Sequence, residues 1–336
     1  MASQGPSFYD PFNESRWLTM TRSGPRSAFW RQSTVRFALG TSAGLALARS
    51  LTAPTGPPRA DDEVLDEGRD DLKACTGTKE SSTPSEEAAS PCPADMVEVD
   101  GDWCPVVEHW CLRPVDPKHV DQDRCAEFAA TTRCLGASQR KRFCIDRYEW
   151  PNEAGVKPVV AVDWDTARTQ CTSRGKRLCV DQEWTLACEG QERLPYPYGF
   201  ARNPDACNID KPYIFPDDAK WANPSLRPGE IARLDQRDPS GARESCVSPY
   251  GVFDMTGNVD EWVYNEQGKE NEKPYFSGLK GGYWGPVRDR CRPMTTDHGP
   301  SHTGYQIGFR CCASLPNTGS TAVIPTPDDA RRRTGT

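Results

Sequence analysis

An acidic turn, an aromatic and basic run, two spaced histidines and fifteen cysteines are the parts of this 336-residue chain whose types and spacing could do chemistry. The turn is Asp254-Met255-Thr256-Gly257-Asn258-Val259-Asp260-Glu261. Calcium takes roughly six to eight oxygens, from carboxylates and backbone carbonyls. Gly257 permits the tight turn that aims carbonyls inward. The competing reading is a solvated acidic turn. In the run from Tyr283 to Arg292, the residues Tyr283, Trp284, Arg288, Arg290 and Arg292 could line a concavity for anionic or planar groups. Alternatively, Trp284 is core and the arginines form surface ion pairs. His298 and His302 stand four apart beside Asp297. On a helix that spacing would face one metal, but Gly299-Pro300 between them predicts a loop.

The cysteines lie mostly between Cys75 and Cys207. Such a load is unusual in a reducing cytosol and points to an oxidising, periplasmic or extracellular compartment. No C-x2-C pair marks a zinc site, and the tightest N-terminal pair is Cys104 and Cys111 around His109. Disulfides are therefore expected, and the odd count leaves at least one thiol outside them. The net charge of -7 gives no basic footprint for nucleic acid.

These residues must be positioned by short elements. With 30 Pro and 27 Gly, long helices are disfavoured, and loops with short strands are expected. Residues 1–53 read as an export signal or N-terminal membrane anchor. Arg22, Arg26, Arg31 and Arg36 precede an apolar run ending Ala46-Leu47-Ala48, and Met20 offers a start of ordinary leader length. Residues 54–91 are poor in large apolar residues and read as a disordered linker. A cysteine-rich part with little core of its own spans 92–143, the core spans 144–315, and 316–336 is a polar tail. The alternating Met96-Val97-Glu98-Val99 predicts a strand. Asp163 caps a helix with Trp164, Ala167 and Cys171 on one face, stopped by Gly175. A second helix starts at Asp181, carries Trp184, Ala187 and Cys188, and ends at Gly190. From Leu194 to Ala313 loops and short strands are expected. Leu315-Pro316-Asn317-Thr318-Gly319 spells a sortase motif, but no membrane segment follows it.

Five motifs in order carry a family resemblance from Met96 to Ala313. Phe143-Cys144-Ile145-Asp146-Arg147-Tyr148-Glu149 is similar to an F-x-I-D-x-x-E strand. Gly175-Lys176-Arg177-Leu178-Cys179-Val180-Asp181-Gln182-Glu183-Trp184 resembles G-K-R-L-P-T-E-x-E-W. Tyr196-Pro197-Tyr198-Gly199 stands for a Pro-Trp-Gly turn. The run Tyr250 to Trp262 matches Y-G-L-x-D-M-x-G-N-V-x-E-W, and Gly281-Gly282 with Gly308-Phe309-Arg310-Cys311 completes the set. Together they resemble the formylglycine-generating enzyme, or sulfatase-modifying factor, family. The resemblance implies an α+β fold, a C-type-lectin-like variant with little regular structure, held by loops, disulfides and calcium.

It also implies partners for individual residues. Calcium would take the Asp254 and Glu261 side chains and the Gly257 and Val259 carbonyls. The family's second calcium site is matched only at Asn208 and Ile209. Its two disulfides map onto Cys171 with Cys311 and Cys188 with Cys291. The extra cysteines are expected to pair as Cys179 with Cys207 and Cys246 with Cys312. Active members carry a serine and two redox cysteines after Gly-Gly, and soft thiolates select Cu(I). Here Tyr283 takes the serine position and no cysteine lies between Gly282 and Cys291. Copper is therefore not expected. Related sulfoxide synthases hold non-heme iron through histidines of an added helical domain; this chain offers only His109, His119, His298 and His302, so iron has no support. The main expectation is an exported binding or structural module whose partner is a protein or small anionic ligand. The competing one is a divergent metal-dependent oxidoreductase.

Overall fold

The first long strand, β1 (Met96–Trp103), alternates buried Val97 and Val99 with outward acids and pairs along its whole length with β6 (Gln139–Asp146), from Met96 opposite Asp146 to Trp103 opposite Gln139. Its outward acids face β6 arginines across the ladder, Glu98 with Arg142 at 2.6 Å and Asp100 with Arg140 at 2.9 Å. This computed structural model describes residues 90–118 and 124–315. The expected leader, most of the linker, His119 and the tail from 316 lie outside the described residues.

Between β1 and β6 the chain forms a long arm. Its inner and outer rungs are β2 (Val107–Glu108) with β5 (Arg133–Cys134), and β3 (Cys111–Pro114) with β4 (Cys125–Phe128). Cys104–Cys134 and Cys111–Cys125 bridge it, and Cys92–Cys144 ties the chain ahead of β1 to β6. The arm's inward side rests on the body, where Cys125 and Phe128 pack with Tyr196.

Helix α1 (Trp164–Ser173) begins where Asp163 accepts the Thr166 amide, and it buries Trp164, Ala167 and Cys171. After β7 (Arg177–Leu178) comes α2 (Asp181–Glu189), which ends at Gly190 in a positive-φ conformation open to glycine. Two short helices interrupt the region expected to be loops and strands. They are α3 (Asp218–Ala222), capped by Asp217, and α4 (Arg227–Leu234), with Pro228 in its first turn and a Glu230–Arg233 pair. Proline is tolerated there because first-turn amides have no helical partner; Pro and Gly counts alone hid both helices.

The remaining strands close two sheets. β8 (Asp260–Tyr264), β9 (Ser277–Lys280), β10 (Met294–Thr295) and β11 (Ile307–Phe309) give the order β10-β9-β8-β11, with β11 parallel to β8. β12 (Cys311–Ser314) enters the other sheet in the order β1-β6-β12-β7. A single residue, Arg310, therefore separates the end of one sheet from the start of the other. Trp184 packs in one apolar cluster and Trp164 with Trp262 in the adjoining one. The architecture is α+β with little regular structure.

Disulfides fasten this frame. Cys171 bonds Cys311, and Cys188 bonds Cys291. The expected pairing of the extra cysteines is corrected: Cys179 bonds Cys312, and Cys207 bonds Cys246. Strand pairing brings the new partners into reach. β12 lies antiparallel beside β7, with Leu178 opposite Cys311 and Arg177 opposite Cys312; Cys179 follows directly on β7, and its Cα stands 4.8 Å from that of Cys312. Cys207 lies instead against Ile209 and Cys246 in a separate cluster. Replacing both Cys188 and Cys291 by alanine opens a span of 103 residues. It is expected to lower unfolding free energy by about 2–5 kcal/mol in denaturant titration; an unchanged midpoint would refute a bracing role.

Candidate functional site

Two neighbouring regions hold the chemistry-bearing residues: a buried ionic centre and the run from Gly281 to Arg292. Arg310 is fully buried at the crossing between the sheets. Its Nε and Nη2 donate to both oxygens of Glu261 at 2.7 and 2.6 Å, and Nη2 also reaches the Phe253 carbonyl at 2.9 Å. Trp184 Nε1 adds a third contact to Glu261 at 2.7 Å. Nearby, Glu149 accepts from Ser240 Oγ and Asn258 Nδ2, and Asp254 accepts the Gly241 amide at 2.7 Å. Asp146 takes the Cys311 amide and the Lys176 ammonium.

Glu149, Asp254 and Glu261 thus lie around one guanidinium. Burial, reinforced by Asp254 and Glu261, pushes the Glu149 carboxyl well above its usual value. Burial likewise pushes Asp254 up to about 6, although the Gly241 amide and Arg310 oppose it. Asp146 and Glu149 belong to a motif legible in the sequence, but their role as interior partners of Lys176 and Asn258 was not.

The two side chains expected to ligate calcium, Asp254 and Glu261, are engaged elsewhere in this arrangement. Three N–H donors hold Glu261, which uses most of a carboxylate's acceptor capacity. Asp254 is turned to a backbone amide. What assembles around Arg310 is a hydrogen-bonded ionic centre.

The loop after β9 is shaped by Gly281 and Gly282, at φ +88° and +76°. A Cβ on Gly282 would stand 2.2 Å from Asp289 Oδ1, so only glycine allows the loop to fold back this tightly. Tyr283 and Trp284 are buried and pack with Val259, Val160, Val287 and Tyr305. Arg202, which no sequence pattern singled out, holds the loop from beneath. It donates to the Arg288 and Val287 carbonyls at 3.1 and 2.9 Å and pairs with buried Asp289.

The pocket expectation is therefore corrected. Tyr283 and Trp284 fill the interior because two large rings exclude water best when packed. Arg292 forks onto Glu189 at 2.6 and 2.7 Å and donates to the Cys104 carbonyl at 2.9 Å. The Arg290 guanidinium lies over the Phe128 ring at 5.1 Å. Arg288 is half-buried, with Nη2 3.4 Å from the Leu279 carbonyl. Arg290 and Arg292 face the disulfide-bridged arm and hold its base against the body.

All fourteen cysteines among the described residues are disulfide-bonded, Cys291 included. No thiolate pair faces this loop among them. The His298–His302 segment is a loop, as Gly299-Pro300 predicts. Its rings stack at 4.1 Å and 9°. Parallel rings place their nitrogen lone pairs in separate planes, so one iron ion cannot lie in both, and the set does not fit non-heme iron. Among the described residues no three His, Cys, Asp or Glu side chains are grouped to hold a metal.

Residues 120–315 match the family model described as a sulfatase-modifying factor enzyme 1-like domain. The inactive C-alpha-formylglycine-generating enzyme 2 of Bos taurus is 29% identical over 192 residues, covering 50% of this chain and 57% of that one. The formylglycine-generating enzyme of Bos taurus is 29% identical over 185 residues, covering 48% and 46%. The chain thus spans about half the length of the curated relatives it matches. The structure of PvdO from Pseudomonas aeruginosa aligns with a TM-score of 0.38 and 18% identity, covering 67% of this chain and 96% of that one.

The ionic centre makes two predictions. Asp254 binds its proton more tightly folded than unfolded, so its contribution is present below about pH 4 and lost as pH rises through about 6. The loss is about 3 kcal/mol. Asp254→Asn, which keeps the neutral shape, is expected to be more stable than wild type at pH 7 and equal to it near pH 4 in thermal melts. Parallel melts with chelator and then with calcium at pH 7 are expected to coincide; a higher midpoint with calcium would mean that Glu261 leaves Arg310 for the ion.

Proposed function

Because the chain belongs to the sulfatase-modifying-factor family, we propose that it is an exported domain that does not generate formylglycine and works as a binding or structural module. The observation that carries this reading is the loop between Gly282 and Cys291. It holds no cysteine, and Cys291 is spent in a disulfide with Cys188. Side chains that would have to face a substrate are used for structure: Tyr283 and Trp284 as core, Arg290 and Arg292 as anchors of the arm. A relative that carries the word inactive in its name supports the same direction.

Seven disulfides support an oxidising compartment, since cytosolic thiols are kept reduced. Export is the corresponding proposal, with the basic and apolar residues before Ala48 as its signal or anchor. Among the described residues no helix is long and apolar enough to cross a membrane. A protein partner suits this module better than a small anion, because Arg290 and Arg292 are already engaged.

Purified protein incubated with copper, oxygen and a cysteine peptide substrate of formylglycine-generating enzymes is expected to yield no aldehyde by mass spectrometry. Metal analysis of the protein as purified, before copper is added, is expected to find neither copper nor iron. Stoichiometric amounts of either metal, or aldehyde formation, would replace this reading with that of a divergent oxidoreductase.

A further inference from the structure

Between Lys211 and Gln236 the chain leaves the body and returns, and its two ends are tied. The Lys211 amide donates to the Trp284 carbonyl at 2.8 Å. Lys211 Nζ donates to the Gln236 carbonyl at 3.0 Å, and Gln236 Nε2 donates to the Pro212 carbonyl at 3.1 Å. Asp235 pairs with Lys157 at 3.0 Å, and Arg237 donates to the Pro158 carbonyl. Residues 213–235, which include α3 and α4, thus form a loop with a closed base, like a large Ω-loop packed by its own side chains.

Bonds within the loop make it one body. The Asp217 amide donates to Glu230 Oε1 at 2.7 Å. Arg227 Nε donates to the Trp221 carbonyl at 2.8 Å, and Arg233 Nη2 to the Phe215 carbonyl at 2.7 Å. The Arg227 guanidinium lies 5.4 Å over the Trp221 ring. α3 and α4 pack mainly on each other. Attachment to the body is slight by comparison. α3 buries no residue, and Phe215 and Leu226 are 74% and 50% exposed. Leu234, which is buried, stands at the base. Little apolar area therefore holds the outer part of the loop down.

What does hold it is Tyr305. Trp221 meets that ring edge-on, with 6.4 Å between centroids at 80°, and the Tyr213 hydroxyl bonds the Tyr305 hydroxyl. Tyr305 in turn touches Trp284 at 5.9 Å and Tyr283 at 6.2 Å. An aromatic contact and a hydroxyl bond thus join a self-contained loop to the aromatic floor that follows Gly282.

We propose that residues 213–235 are a hinged cover, which swings as one body about the Pro212–Gln236 base and hides or bares the floor of Tyr283, Trp284 and Tyr305. Segments that open below the global unfolding free energy are those with few buried apolar contacts to the rest of the fold. The bonds of this cover are internal, so they survive the opening and move with it. Closed, the floor is interior; open, it is an accessible aromatic surface.

Hydrogen exchange of the full, disulfide-intact chain tests the cover. Peptides from α3 and α4 are expected to share one protection factor, at least about a hundredfold below that of α1 and α2. Trp221→Ala removes the ring contact from within α3. It is expected to speed exchange in α4 as well, by about tenfold, the loss of one aromatic pair. Tyr305→Phe removes the hydroxyl bond from the body side and is expected to speed both helices together by about fivefold. Unchanged exchange in α1 and α2 shows in each case that the fold is intact. An anilinonaphthalenesulfonate dye reads the bared floor, and Trp221→Ala is expected to raise its fluorescence above the wild-type level under the same conditions. Protection in α3 and α4 equal to that of α1 and α2, separate factors for the two helices, or unchanged dye fluorescence would each overturn the proposal. None of these outcomes bears on formylglycine chemistry, metal content or export, so the module reading stands or falls separately.

Discussion

The bond on which the rest of this structure depends is the fork between Arg310 and Glu261. Arg310 sits where the chain passes from one sheet to the other, and Glu261 lies on the strand against which β11 pairs. Both are fully buried, so neither could be left alone. Removing one partner of a buried pair strands the other charge, at about 3–5 kcal/mol. The pair fixes the direction in which β12 leaves β11. β12 then pairs with both β6 and β7, and its two cysteines bond Cys171 and Cys179. Trp184 joins the same carboxylate from α2, so the helix is fastened to the crossing as well.

Around this centre the protein holds more acid than base. Glu149 and Asp254 are accommodated by hydrogen bonds from Ser240, Asn258 and Gly241 and by raised carboxyl pKa values rather than by further cations. The loop from Gly281 to Arg292 meets the opposite need. Its surplus of arginine is spent outward on Glu189, the Cys104 carbonyl and the Phe128 ring, while Arg202 below supplies the cation for Asp289. A segment that in a catalytic relative would hold reacting thiols has become a joint between the core and the arm.

Much of the frame was legible beforehand, for identifiable reasons. The two longer helices announce themselves by a capping Asp163, by apolar residues at helical spacing and by a stop glycine, all local signals. β1 announces itself by alternation. The short helices α3 and α4 do not, because five to eight residues carry too few turns for a period to show. The site was legible in a different degree. The Asp254 to Glu261 turn was recognisable as special, but its partners come from residues 149, 184, 208, 241 and 310, far apart in the chain. Arg202 and Asp289 carry no pattern at all; only their meeting gives them meaning.

Sequence by itself therefore determined the family, the elements with strong local periodicity and the loss of the thiolate pair, because each of these is a property of neighbouring residues. Tertiary structure decided which cysteine meets which, whether Glu261 faces an ion or an arginine, and whether Tyr283 and Trp284 line a cavity or fill one. Those outcomes turn on competition among groups brought together by folding. A buried carboxylate goes to the donor that best offsets its lost hydration, and an aromatic ring goes to the site that removes most of its surface from water. Neither donor nor site can be ranked until strand register has placed them side by side.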